Sequence, residues 1–401
     1  METTTYKISD IGEVVGGGTP STANSDFWGG DIPWISPKDL TGYKSVYISH
    51  GESFLTKTGL KSGTRLLPKG TVLFSSRAPI GYVAIASNPI CTNQGFKSII
   101  CNKEIINPLF LYYYIKGNLD YIKLFGTGAT FPEISGAAMR KIKVQIPTLP
   151  TQQKIASILS SYDRLIENNT RRIRLLEQMA ENLYKEWFVR FRFPEHEKVE
   201  MVNGLPKGWE RTKLIKNIKT SSGGTPSRNK GEYYKNGTIP WIKTGELQDC
   251  ILINTEECIT EDAVNNSSAK LFPKGTLLMA MYGVNVGKLG ISEIEATCNQ
   301  ACCVFTPKQI DYKYYLFHYL KSIREYLLSI SFGAAQQNLS QELIKSIRVL
   351  FPDEKTNISF VKEVEPLFKE ISIIQQQNQL LTRQRDLLLP RLMSGKLEVK
   401  S

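Results

Sequence analysis

The chain has 401 residues, 41% hydrophobic and 22% charged, with a formal net charge of +12. At roughly 100–200 residues per domain this length implies two or three domains with cores of their own, and no run approaches the ~18 apolar residues of a membrane span. The opening METTTYKISDIGEVV has neither a basic nor an apolar stretch, so no secretory leader is expected; membrane, disulfide-scaffold and disordered classes are excluded, and a cytoplasmic multidomain protein is expected.

In chain order, a Gly17-Gly18-Thr19-Pro20-Ser21 turn precedes short β-type runs at Ile32–Ser36, Thr71–Ser75 and Val83–Ala86. Their length and turn chemistry predict strands of a mixed, irregular sheet. A Tyr-rich amphipathic stretch, Leu109–Leu124, reads as helix, and a glycine-rich loop leads to a short strand, Lys141–Ile146. Apolar positions then recur at Ile155, Ile158, Tyr162, Leu165, Asn169, Ile173, Leu176, Met179, Leu183 and Trp187, close to the alternating steps of three and four of a heptad seam. A long helix is expected over 151–193, and a polar connector with two prolines and a glycine over 194–206.

The pattern then starts again. Gly223-Gly224-Thr225-Pro226-Ser227 repeats the opening turn, and Ile239-Pro240-Trp241-Ile242 repeats Ile32-Pro33-Trp34-Ile35. Pro273-Lys274-Gly275-Thr276 repeats Pro68-Lys69-Gly70-Thr71, and Asn299-Gln300 repeats Asn93-Gln94. Gly128, Ile134-Ser135 and Pro147 find Gly333, Leu339-Ser340 and Pro352, all at offsets of 205 to 207. Matches in one order at one offset mean two copies of a whole domain plus an appendage. Strands are expected at Thr276–Ala280, Lys288–Ser292 and Ser346–Phe351, and a helix at Tyr312–Ser329.

A second seam follows at Phe360, Val364, Leu367, Ile371, Ile374, Asn378, Leu381, Arg385, Leu388 and Leu392. Each seam runs for roughly 50 Å at 1.5 Å per residue, longer than one small domain covers, so the helices are expected to pair. The polar seam positions Asn169 and Asn378 are of the kind that fixes register. Pro366 is expected to kink or start the main part of the second helix, and Pro390 to disturb its last turn. The domains expected are 1–150 and 207–352, each followed by a long helix, 151–193 and 353–401, with 194–206 as linker. The fold class is α+β, with the two helices antiparallel and the copies related by pseudo-twofold symmetry.

The charge lies in the copies: residues 1–150 and 206–350 carry +5 each, residues 151–205 and 351–401 only +1 each. Basic domains suit polyanions, nucleic acid first. Seven cysteines without a CxxC pair give no zinc knuckle, so no metal is expected. His50, His196 and His318 lie in unrelated contexts and form no nucleophilic triad. Asn107-Pro108-Leu109-Phe110 lacks the second proline of an adenine-methyltransferase motif and reads as a helix start. Pro352-Asp353 has no following ExK of a nuclease and reads as a strand-to-helix turn. Neither GxGxxG nor GxxxxGK[ST] occurs. The chain reads as a scaffold that recognises, not as an enzyme.

GGGTPS, IPWIS, LLPKGTVLFSSRAPIG, FGTGATFPEIS and VQIPTLPTQQKIASIL in the first copy resemble the specificity subunits of type I restriction–modification systems. So do GGTPS, IPWIKTGEL, LFPKGTLLMAMYG, SFGAAQQNLS and RDLLLPRLMSGKLEV in the second. The helix entry Phe351-Pro352-Asp353-Glu354-Lys355 lacks the Gln-Gln-Lys-Ile continuation of the first copy.

The resemblance implies two target-recognition domains, each reading one half of a split sequence on double-stranded DNA. It implies long helices that space them and dock two methyltransferase subunits, motor-nuclease subunits in the full complex, and S-adenosylmethionine, ATP and Mg held by those partners. Candidate DNA contacts are Lys38, Lys69, Ser75, Ser76, Arg77, Arg228, Lys243, Lys274, Tyr282 and Asn285, in or beside the repeated motifs. Trp34 and Trp241 are expected to anchor the core, and the Asn-Gln pairs to shape a turn. The competing reading is a protein adaptor whose basic domains bind no specific DNA.

Overall fold

The computed structural model describes residues 2–128, 130–331 and 338–399. The chain divides into two compact units, Met1–Asn168 with Asn378–Ser401, and Asn169–Gln377.

The first unit holds strands β1 (Thr4–Lys7), β2 (Gly12–Gly16), β3 (Trp28–Ile35), β4 (Tyr47–Ile48), β5 (Ser53–Leu55), β6 (Val72–Phe74), β7 (Val83–Ala86), β8 (Cys91–Thr92), β9 (Lys97–Cys101) and β10 (Lys143–Ile146). They form a five-stranded sheet in the order β2-β9-β6-β7-β4, a three-stranded sheet β5-β3-β8 and the pair β1-β10. The contacts β3–β8 and β4–β7 are parallel, the others antiparallel.

The second unit opens with a hairpin, β11 (Met201–Val202) and β12 (Leu205–Pro206). It continues with β13 (Glu210–Lys213), β14 (Ile218–Ser222), β15 (Ile239–Ile242), β16 (Cys250–Leu252), β17 (Cys258–Ile259), β18 (Leu277–Ala280), β19 (Leu289–Ser292), β20 (Thr297–Cys298), β21 (Cys302–Pro307) and β22 (Arg348–Phe351). Its sheets run β14-β21-β18-β19-β16, β17-β15-β20 and β13-β22. Strand for strand this is the topology of the first unit, as the sequence repeat requires.

The central strands are buried on both faces, which is why they read as unbroken apolar runs. Val72 and Phe74 join the core under the Tyr-rich helix, while Leu73 points into a smaller cluster with Ile35 and Phe96. Leu277 and Met279 divide from Leu278 and Ala280 in the same way. This is the period-2 alternation of a strand with two cores to fill. The Tyr-rich stretches are each two helices, Pro108–Gly117 then Leu119–Lys123, and Lys313–Ser322 then Arg324–Ser329. The Asn107 side chain accepts from the Leu109 and Phe110 amides, an ordinary N-cap with Pro108 at the first helical position.

The long helices are Leu149–Tyr184, closed by a π turn at Lys185–Val189, and Glu354–Met393. Asp353 starts the second, accepting from the Thr356 amide at 3.0 Å and from the Trp209 indole at 3.0 Å. Pro366 and Pro390 do not interrupt it. Pro366 and the preceding-turn residue Lys362 are both exposed, so water is at hand for the carbonyl that proline leaves unpaired.

In the first unit Ile155 and Leu159 share a core with Leu388 and Leu392, and Asp163 pairs with Arg385. In the second, Arg172 pairs with Glu370 at 2.8 Å and Trp187 meets Phe360 at 5.7 Å. Within each unit the two helix segments therefore run antiparallel. The first seam needs one correction. Leu165 and Met179 are exposed, and Ile166 and Ala180 take the inward positions, as the fully buried Leu159 does in place of the half-buried Ile158. The inward series 155, 159, 162, 166, 169, 173, 176, 180 alternates steps of four and three without slips. Ile155, Asn169, Val364 and Ile371 are buried, and Tyr162, Leu176, Leu183, Asn378, Leu381 and Leu388 are half-buried. The stretch read as a plain connector carries the β11–β12 hairpin, turned by Asn203 and Gly204 at φ 52° and 76°.

Candidate nucleic-acid interface

The repeated motifs converge on one node in each unit. A Cβ on Gly17 would lie 1.9 Å from the Asn93 carbonyl oxygen, and one on Gly18 1.9 Å from that of Gly63. The counterparts Gly223 and Gly224 would meet Cys298 O at 2.0 Å and the Ser268 carbonyl carbon at 2.3 Å. Only glycine permits these backbone approaches. The Trp34 indole donates to Gly18 O at 3.0 Å, and the Trp241 indole to Gly224 O at 3.0 Å. Thr19 bonds the Gln94 side chain, and Thr225 that of Gln300. Asn93 and Asn299 donate backbone N–H to Ile35 O and Ile242 O, each at 2.9 Å. These three motifs therefore hold the node together.

The other repeats place the loops around it. Gly70 and Gly275 take φ of 89° and 85° in tight Pro-Lys-Gly-Thr turns, which Thr71 and Thr276 close with hydroxyl bonds to Pro68 O and Pro273 O. Ile134 donates its amide to Ser76 O at 3.0 Å, and Leu339 to Met281 O at 2.9 Å, so the loop after β6 or β18 is pinned alike. Ser135 and Ser340 cap the helices that follow. Gly333 lies outside the described residues.

In the first unit the loops after β3, β6 and β8, with the segment around Phe131, surround an open cleft of about 1030 Å³ lined by Lys38, Arg77, Pro79, Lys123, Phe131 and Glu133, among others. Arg77 and Lys97 approach Glu133 at 3.4 and 3.3 Å. Lys38 pairs with Glu52 at 2.9 Å, which holds its ammonium above the usual lysine range. In the second unit Gly245 takes the place of Lys38, and the lysine beside the glutamates is Lys243, which stands where the first unit has Ser36. Lys243 reaches Glu256 at 2.9 Å and Glu257 at 3.8 Å, and the Glu256 hydrogen bond likewise raises it. Arg228 pairs with Glu257 at 2.8 Å and lies over the Tyr234 and Trp241 rings at 4.3 and 5.0 Å. Its hydrogen bond holds the Glu257 carboxyl below the usual range. Lys274 pairs with Glu293 at 2.9 Å. Lys69 is exposed with no ion-pair partner among the described residues.

Lys38 and Arg77 thus share one cleft, and Lys69 is not part of its lining. Three candidate contacts are displaced. Ser75 and Ser76 are fully buried, their hydroxyls bonded to Pro79 O at 2.7 Å and Gly95 O at 3.0 Å, because they shape the loop from beneath. Asn285 spends its amide N–H groups on Thr244 O and Gly245 O, at 3.1 and 3.0 Å. Tyr282, one residue past the pinned Met281, is exposed. Sequence reasoning missed Lys123, Phe131 and Val284, and missed the glutamates that hold the cations. Apolar residues inside Gly- and Pro-rich loops were the available signal.

Two copies of one mixed-sheet domain, each ringed by cations on loops fixed through repeated motifs, and each followed by a long helix, define a duplicated nucleic-acid-recognition scaffold. The family described as Type I restriction modification DNA specificity domain matches residues 1–178 and 206–383. The type I restriction enzyme MjaIX specificity subunit of Methanocaldococcus jannaschii is 36% identical, over 98% of this chain and 93% of that one. The HindI specificity subunit of Haemophilus influenzae is 26% identical, over 83% of this chain and 88% of that one. The crystal structure of a type I restriction–modification S subunit from M. genitalium superposes with a TM-score of 0.63 at 17% identity, covering 100% of this chain and 97% of that one. The chain belongs to the specificity subunits of type I restriction–modification systems, which recognise DNA for their complexes and are not catalytic. No described helix is long and apolar enough to cross a membrane.

Proposed function

We propose that each unit reads one half of a split target on double-stranded DNA and that the long helices set the gap between the halves. The observation that carries this is the duplicated node, with matched strand order and the same bonds, Trp34 to Gly18 and Thr19 to Gln94 in one unit and Trp241 to Gly224 and Thr225 to Gln300 in the other, beneath two otherwise diverged surfaces. Shared geometry supports one docking mode, and diverged loops support different letters. The glutamates paired with Lys38 and Lys243 do not disqualify these cations. Exposed ion pairs contribute only about 0–1 kcal/mol, so a phosphate can displace the carboxylate.

Two methyltransferase subunits dock on the helices, motor-nuclease subunits complete the complex, and S-adenosylmethionine, ATP and Mg belong to them. The assembly works in the cytoplasm. The test is fluorescence anisotropy of the intact chain with duplex DNA from about 50 to 200 mM salt. A log–log slope of several units is expected, with about 0.9 for each phosphate neutralised. Affinity that does not change with salt favours the adaptor reading instead.

A further inference from the structure

Among the described residues, three large hydrophobic side chains stand far more exposed than the rest: Val284 at 103%, Phe131 at 85% and Leu124 at 80%, with Tyr326 next at 60%. A single exposed apolar residue is ordinary on a protein surface. The placement of two of these is not. Phe131 lines the cleft that also holds Lys38, Arg77 and Lys123. Val284 sits at the tip of the loop between β18 and β19. That loop is the counterpart of Arg77–Gly81, whose Pro79 and Ile80 line the same cleft in the first unit. Leu124 is not in the lining.

Resting on the DNA-reading function, we propose that Phe131 and Val284 are specificity residues, each packing on the 5-methyl group of a thymine in the half-site its unit reads. A reader that distinguishes all four base pairs must work in the major groove, because the minor groove separates A·T from G·C and little more. The one apolar group that natural base edges present there is the thymine methyl. The flanking cations suit phosphates, which position the loop and carry no sequence information. Insertion between bases is the other use of an apolar tip, and a phenyl ring suits it. The β-branched stub of Val284 has no flat face to stack, so methyl contact is the one role both residues fill.

The half-sites are first found by selecting duplexes from a random pool with the intact chain bound to its methyltransferase subunits. Uracil then replaces thymine at each position in turn, deleting one methyl. The wild-type complex is expected to lose about fourfold in affinity at one thymine of each half-site, the worth of one buried methyl-sized group. In Phe131→Ala the penalty disappears at the first half-site and persists at the second; in Val284→Ala the reverse holds. Both side chains are exposed, so the variants are expected to fold, and unchanged thermal unfolding checks this. If uracil costs the wild type nothing, or if each penalty survives the matching substitution, this inference is overturned while DNA reading stands. If the wild type selects no sequence at all, both fall together.

Discussion

The Asp163–Arg385 pair ties the end of the chain to the first unit, and its removal has a calculable cost. The two side chains are only 10% and 16% exposed. Asp163 also accepts from the Tyr113 hydroxyl, whose phenol is held well above its usual range by burial and by that carboxylate. Arg385 has a second partner in Asp386, at 2.8 Å. The partners are therefore not equivalent. Arg385→Met keeps the aliphatic stem but leaves Asp163 with a single neutral donor, and is expected to cost about 3 kcal/mol, at the low end for a broken buried pair. Asp163→Asn leaves Arg385 its second carboxylate and should cost about 2 kcal/mol. The double variant should lose at least ~1 kcal/mol less than the sum. Hydrogen exchange read on peptides covering 108–117 and 381–393 measures this locally, which matters because a chain of two units need not unfold in one step. A loss of 3 kcal/mol corresponds to roughly 150-fold faster exchange. A change below about threefold in Arg385→Met would show that the pair does not hold the C-terminal helix to the unit.

Burial, followed by the nearby Lys321 cation, pushes His318 down to about 3. Its contribution is therefore complete above about pH 6.5 and falls as pH drops from there toward 3, by about 1.4 kcal/mol per pH unit; His318→Phe should flatten urea-unfolding stability between pH 6.5 and 4, and an unchanged slope would refute the assignment. Gly18→Ala and Gly224→Ala should each lower stability by about 2–3 kcal/mol, whereas Gly16→Ala, with nothing within 4 Å of its Cβ, should be within about 0.5 kcal/mol of wild type; thermal unfolding compares them. Seven residues inserted after Asn169 lengthen the helix by ~10 Å, about three base pairs, and keep the seam in phase. Methylation mapping should return the same half-sites with a gap longer by up to that amount, since the partner helix is unmatched; an unchanged gap would rule out the ruler.

The duplication was legible because tight turns and close backbone approaches tolerate few residues. Gly17-Gly18, Trp34 and Gln94 recur since each fits a node where an added Cβ would collide or an indole needs a fixed carbonyl. The helices are legible from their period, but hydrophobicity alone does not separate Leu165 and Met179 from the seam. Ala180 fits the closer packing inside, while long apolar side chains remain exposed on the outer face. Antiparallel pairing of the seams places Leu392 beside Ile155, as the structure has it, but other pairings across long sequence separations were not legible: β1 with β10, or Val399 beside the first unit's core. The cations were found without their partners, because Glu52 and Glu257 are fourteen residues from Lys38 and Lys243 and only the fold brings them within reach. Ser75 and Ser76 look like surface hydroxyls in sequence, and only the loop geometry shows that backbone carbonyls occupy them.

Two copies of one domain, on the function proposed, each read a separate half-site. Single-molecule methylation mapping of a host genome carrying this chain with its cognate methyltransferase tests it most directly. The expected result is two different blocks of specified bases separated by a constant number of unspecified ones. A contiguous motif, or methylation without sequence preference, would contradict it.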